Sequence, residues 1–153
     1  MVDVTSRIVI EETRYEVATF AADPDNAPLW YVNIKSVEWK TSRPLTVGSR
    51  VAFKANFLGR QLVYTYEIKS YLPGEYLVMR TAEGPFPMET FYEWHSVSDH
   101  SCEMILRNAG KPSGFSRLLT PFMEMAMRRA NKKDLQRLKS IIEKKLLTKT
   151  KFK

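Results

Sequence analysis

Residues 120–147 read TPFMEMAMRRANKKDLQRLKSIIEKKLL, and this stretch decides the fold. Thr120 offers a hydroxyl at a cap position, and Pro121 follows at the first helical position, where its missing N–H costs nothing. No glycine or proline occurs between Phe122 and Lys153, and the residues are mostly strong helix formers. Met127, Asn131, Leu135, Leu138 and Ile142 recur at spacings of three and four, which sets them on one stripe. Lys132, Lys133, Arg137, Lys139 and Lys144 fall mainly off that stripe. The spacing predicts one amphipathic helix of roughly seven turns, with an apolar face that needs a partner. Pro121 would clash with the carbonyl of Arg117 in a continuous helix. Either Ser113 to Leu119 forms a separate short helix, or the helix kinks at Pro121. In Phe115 to Met127 the apolar residues surround the axis, which leaves two readings open: a movable lid over a pocket mouth, or packing against short helices upstream.

The preceding chain supplies the partner. Val2 to Glu11 alternates and is rich in β-branched residues, predicting a first strand. Thr13 caps a short helix, Arg14 to Ala21, and Asp23-Pro24 starts a second that ends near Trp30. Val32 to Thr41 reads as a strand with imperfect alternation. Ser49 to Phe57 follows Gly48, with Val51, Phe53, Ala55 and Phe57 on one face. The turn Leu58-Gly59-Arg60 leads to Gln61–Tyr71, which sets Leu62, Tyr64, Tyr66 and Ile68 on one face. Further strands are expected over Glu75–Ala82 after Pro73-Gly74, over Met88–Val97, and over Ser101–Asn108 after an Asp99-His100 hairpin. Short connections imply sequential antiparallel pairing. The segregated order is an α+β layout: about seven strands in a curved antiparallel sheet wrapped round the long C-terminal helix, with two short helices after the first strand. The interval between sheet and helix is the natural place for a pocket.

At 153 residues the chain is long enough for a substantial core, and 44% hydrophobic residues with 12% aromatic is a globular composition. We read residues 1–147 as a single domain and 148–153 as a basic tail. One cysteine and two histidines provide neither a disulfide framework nor a metal-ligand cluster, so no metal or cofactor is expected. Residues 1–12 lack the apolar core of a signal peptide, and no run approaches membrane-spanning length; the expected location is cytoplasmic. The net charge of +7 divides into −3 over residues 1–110 and +10 over residues 111–153. The basic helix and tail form either a solvated face or a surface for an acidic membrane or partner. Nucleic acid is not an expected partner, because the aromatics alternate along strands instead of interleaving with the basic run.

Few residues carry chemistry. Glu67 and Glu93 fall opposite the tyrosines of their strands and are expected to face solvent. His95 is out of phase with Tyr92 and Trp94, and neither it nor His100 has a Ser, Cys or Asp at catalytic spacing. Cys102, in phase with Met104 and Leu106, reads as a buried small hydrophobe. No catalytic residue is assigned.

Several strings carry a family resemblance over about Val4 to Lys145. They are Phe20-Ala-Ala-Asp23-Pro24-Asp-Asn26-Ala-Pro-Leu-Trp30, Val47-Gly48-Ser-Arg, Tyr66-Glu67-Ile68 with Tyr71-Leu-Pro73, and Arg107-Asn-Ala-Gly110-Lys-Pro112-Ser-Gly114-Phe115. Pro121, Met123, Arg128-Arg129 and Asp134-Leu135-Gln-Arg-Leu138-Lys139 extend the pattern. The chain resembles the SRPBCC superfamily of START-like and birch-pollen-allergen-like helix-grip proteins, in the branch labelled polyketide cyclase/dehydrase. The resemblance implies a hydrophobic cavity between concave sheet and C-terminal helix. Its implied function is binding or carriage of a small hydrophobic, lipid- or polyketide-like molecule without catalysis; the alternative is a polyketide cyclase or dehydrase acting in the same cavity. Expected cavity-lining residues are Trp30, Phe53, Tyr64, Tyr66, Met79, Tyr92, Trp94, Met104, Met123, Met127 and Asn131. Tyrosine hydroxyls would orient a ligand and thioethers adapt to its shape.

Overall fold

A computed structural model describes residues 2–57, 59–85, 87–111 and 120–151, with side chains through residue 144. The elements are β1 (Val2–Ile10), α1 (Arg14–Ala22), a 3₁₀ turn (Pro24–Asn26), α2 (Ala27–Trp30), β2 (Ile34–Trp39), β3 (Arg50–Phe57), β4 (Arg60–Leu72), β5 (Tyr76–Glu83), β6 (Met88–Ser98), β7 (Ser101–Gly110) and α3 (Thr120–Lys151). The seven strands form one antiparallel sheet in the order β1-β7-β6-β5-β4-β3-β2. The chain therefore lays down consecutive hairpins from β2 to β7 and closes by pairing β7 with β1. Residues 112–119, which include the whole segment read as a separate short helix and the first part of the 115–127 stretch read as a lid or a packing piece, lie outside the described residues.

Local chemistry accounts for the small elements. Thr13 caps α1 by accepting the Glu16 N–H on its hydroxyl at 3.3 Å, and Asp23 accepts the Asp25 N–H at 3.0 Å. The second short helix divides in two, and Pro28 is the reason. It has no N–H to offer the Pro24 carbonyl four residues back, so that carbonyl takes the Ala27 N–H in a 3₁₀ bond instead. Strand β2 is shorter than the expected 32–41, and its pairing with β3 shifts between Ile34 and Ser36, which breaks its alternation.

The stripe on α3 is buried as its spacing predicts, from Met127 at 8% exposure through Asn131, Leu135, Leu138 and Ile142. Two regions divide that stripe. Toward the C-terminal end, Leu135, Leu138 and Ile142 close a core with Val17 and Ala21 of α1, Trp30, and the sheet residues Leu77, Trp94, Met104 and Leu106. Toward the N-terminal end, Met123 and Met127 meet Val2 and Val4 of β1. A polar strap fixes α3 to that edge strand: Lys139 Nζ donates to the Val9 carbonyl at 2.8 Å and to Glu143 Oε2 at 2.6 Å, and Glu143 Oε2 also accepts the Glu11 N–H at 3.0 Å. No helix among the described residues is long and apolar enough to cross a membrane.

Candidate functional site

Between the concave face of the sheet and the N-terminal half of α3 lies a cavity that opens to the surface. Alternation along four strands builds its floor. Phe53, Ala55 and Phe57 come from β3, and Leu62, Tyr64 and Tyr66 from β4. The β3–β4 register sets Phe53 opposite Tyr64 and Ala55 opposite Leu62, so the two triplets share one face. Met79 of β5 and Met88, Thr90 and Tyr92 of β6 extend the floor toward Asn108 of β7. Met123, Met127, Ala130, Asn131 and Asp134 of α3 form the roof, and Tyr31, Asn33 and Ile34 the end wall.

Eight of the eleven residues expected on the lining stand there: Phe53, Tyr64, Tyr66, Met79, Tyr92, Met123, Met127 and Asn131. Trp30, Trp94 and Met104 do not. They lie in the closed core, at 0%, 1% and 0% exposure. Trp94 and Met104 point to the concave face but sit further along β6 and β7, opposite one another under Leu135 and Leu138. Trp30 backs the wall from behind, its ring 4.0 Å from Tyr31 and 5.8 Å from Tyr92.

The polar residues of the wall are those sequence reasoning missed, apart from Asn131. Thr90 and Asn108 are direct neighbours in the β6–β7 register. Thr90 Oγ1 donates to Asn108 Oδ1 at 2.7 Å, and Asn108 Nδ2 donates to Asn131 Oδ1 at 3.1 Å. Asn131 is 4% exposed, and its Nδ2 is buried without a partner. One turn further along α3 stands Asp134, 3% exposed, whose Oδ1 accepts the Val32 N–H at 2.8 Å. Burial pushes its carboxyl up to about 7, against the opposing pull of the Val32 bond and of Arg137. Facing it, the hydroxyls of Tyr31 and Tyr92 share a short hydrogen bond, and burial raises both phenols well above their ordinary range. Tyr64 and Tyr66 are pushed up to about 12, again by burial. Among the described residues the wall holds no Lys, Arg or His. The available signal for Asp134 was its position three residues after Asn131 and four before Leu138, inside the apolar stripe.

Elsewhere the polar groups are ordinary surface. Glu67 pairs with Lys69 and Arg50 on the outer face, and those cations hold its carboxyl below the usual range. His95 Nε2 lies 3.1 Å from Glu93, both exposed. Cys102 is buried, and burial raises its thiol to about 11. No group of three His, Cys, Asp or Glu side chains among the described residues is placed to hold a metal ion.

A curled seven-stranded antiparallel sheet, two short helices after its first strand and a long helix across its concave face define the helix-grip fold of START-like proteins. Residues 1–143 match the family model described as polyketide cyclase / dehydrase and lipid transport, and the chain belongs to that family. Among solved structures it is similar to the protein TTHA0849 from Thermus thermophilus, with 15% identity over 92% of this chain and 96% of that one and a TM-score of 0.80. The Zhui aromatase/cyclase from Streptomyces sp. R1128 shows 14% identity over 94% of each chain and a TM-score of 0.79. A START superfamily protein from Mycobacterium smegmatis shows 11% identity over 93% of this chain and 97% of that one, with a TM-score of 0.78. At such identities these likenesses carry the fold alone. No curated protein matches the sequence.

Proposed function

We propose that this protein binds a small, mostly apolar molecule in the cavity under α3, as a carrier or sensor. The observation that supports this most is the wall itself. Phenylalanine, leucine, methionine and tyrosine side chains from four strands and a helix line an open space, with a few polar groups at one end. A pocket of that composition is how proteins hold apolar ligands. The family description, which couples cyclase and dehydrase chemistry with lipid transport, fits the same reading.

The test is occupancy. Native mass spectrometry of the purified protein is expected to show a stoichiometric excess mass that extracts into organic solvent, and a hydrophobic dye is expected to bind the emptied protein. Ala130→Phe adds a ring to the roof of the void and is expected to weaken dye binding by about tenfold or more with the melting temperature held. Dye binding unaltered by Ala130→Phe would move the ligand site elsewhere.

One observation favours a second reading, acid–base catalysis of the cyclase or dehydrase kind. Asp134 titrates near neutrality beside the bonded hydroxyls of Tyr31 and Tyr92, and a general base poised near working pH is what proton abstraction requires. On this reading the protein exchanges the α-hydrogens of 2-octanone in D2O, followed by NMR. Asp134→Asn then loses that exchange while dye binding persists. An exchange rate equal to that of Asp134→Asn or of buffer removes the catalytic reading and leaves the carrier.

A further inference from the structure

The outer face of α3 concentrates positive charge with little in the fold to answer it. Arg128, Arg129, Lys132, Lys133, Arg137 and Lys144 are exposed along it. No aspartate or glutamate between Pro121 and Lys144 is exposed; Glu124 and Glu143 are half-buried at the flanks, beside Arg128 and Lys139. Arg129, Lys132 and Lys133 make no ion pair among the described residues. Arg128 with Lys132, Arg129 with Lys133, and Lys133 with Arg137 set like charges four residues apart, an arrangement that works against a helix. The helix dipole does not offset it, because that effect is confined to the last turn and α3 runs on to Lys151.

The same face begins with apolar side chains. Phe122 is 67% exposed and Met125 57%. Phe122, Arg129, Lys133 and Lys144 are separated by seven, four and eleven residues, each close to a whole number of turns. They therefore stand in one straight row about 33 Å long. The first turns of α3 carry apolar groups on two sides: Met123 and Met127 roof the cavity, while Phe122 and Met125 face outward. Exposed apolar groups in line with unanswered cations match a surface that is anionic at its plane and apolar just beneath it. An acidic protein would engage the cations and leave Phe122 unexplained.

We propose that the outer face of α3 docks on an anionic lipid bilayer, with Arg129, Lys132 and Lys133 at the headgroups and Phe122 and Met125 seated among the acyl chains. Docking brings the roof of the cavity against the membrane, where apolar molecules concentrate. This adds a partner to the carrier reading and does not depend on it, because it is read from vesicle binding and not from cavity occupancy.

The experiment is co-sedimentation with vesicles of equal parts phosphatidylglycerol and phosphatidylcholine, against vesicles of phosphatidylcholine alone. Binding is expected to the anionic vesicles only, and it is expected to weaken steeply as NaCl is raised to about 0.5 M. The double variant Arg129→Gln with Lys133→Gln is expected to lose about thirtyfold in affinity, at about fivefold for each cation held near such a surface. Lys54→Gln with Arg60→Gln removes the same charge from exposed positions on β3 and β4, and is expected to lose less than about threefold. Phe122→Gln keeps every charge and is expected to lose about tenfold on vesicles and nothing on poly-glutamate. All five side chains are exposed, so melting temperatures are expected to hold. Equal losses from the two double variants reduce the effect to net charge and overturn the assignment to α3. Phe122→Gln binding vesicles as wild type does, or poly-glutamate bound as tightly as the vesicles, overturns the lipid partner in favour of an acidic protein. Failure to bind anionic vesicles at low salt overturns the proposal outright.

Discussion

Asp134→Asn is expected to make the folded protein more stable above neutral pH, by on the order of 4 kcal/mol, and to leave it nearly unchanged below pH 4. The carboxyl is raised from 3.8 to about 7 by burial, and each tenfold difference in proton affinity between folded and unfolded chains is worth about 1.4 kcal/mol. Because the folded value lies above the unfolded one, the folded state holds the proton more tightly across the interval between them. Asp134 therefore favours folding fully below its unfolded value, and that contribution is lost as pH rises through about 7. Asparagine does not titrate, and its side-chain oxygen can still accept the Val32 N–H that Asp134 Oδ1 now holds at 2.8 Å. The carboxylates of Asp3, Asp25, Glu67 and Glu143 are held low and drive stability the other way. They are common to both proteins and cancel in the difference. Urea unfolding of the pair at intervals from pH 4 to pH 8 measures it. A flat difference would place the Asp134 carboxyl in contact with bulk water and remove it from the closed end of the cavity.

Such a residue stands out against the rest of α3, and its neighbourhood shows what a linear sequence conveys and what it withholds. The helix was legible because its determinants are local. The stripe from Met127 to Ile142 repeats at helical spacing and is buried along its length. The floor of the cavity was legible for a similar reason, since alternation in β4 sets Leu62, Tyr64 and Tyr66 on one face. Alternation names a face and says nothing about depth along the strand. Tyr92 and Trp94 share the concave face of β6, yet Tyr92 borders the void and Trp94 is sealed beneath α1 and the C-terminal half of α3. The polar end was illegible because it is assembled from distant pieces. Thr90 meets Asn108 through strand register, Asn108 meets Asn131 across sheet and helix, and Val32 meets Asp134 over a separation of 102 residues.

The boundary between void and core gives the other large effect. Trp94→Ala is expected to cost about 4 kcal/mol, at the upper end of large-to-small core substitutions. The indole is 1% exposed, lies 5.9 Å from the Tyr92 ring and sits opposite Met104. Leu135 and Leu138 complete its surroundings, and residues so tightly enclosed cannot collapse to fill the space it would leave. Trp94→Phe is a sharper probe of the same site. The Trp94 Nε1 is buried without a partner, so phenylalanine removes an unpaired donor as well as volume. The two changes offset, and a loss of about 1 kcal/mol is expected. Leu62→Ala removes a smaller apolar group from the same concave face at the wall of the void. There the side chain already lacks neighbours on one side, and the cost is expected to stay under about 1.5 kcal/mol. Urea unfolding of the three variants separates these values. If Trp94→Ala costs no more than Leu62→Ala, the indole borders open space. The cavity would then run the length of the sheet and admit a ligand far longer than 2-octanone, with Trp94 and Met104 on its wall.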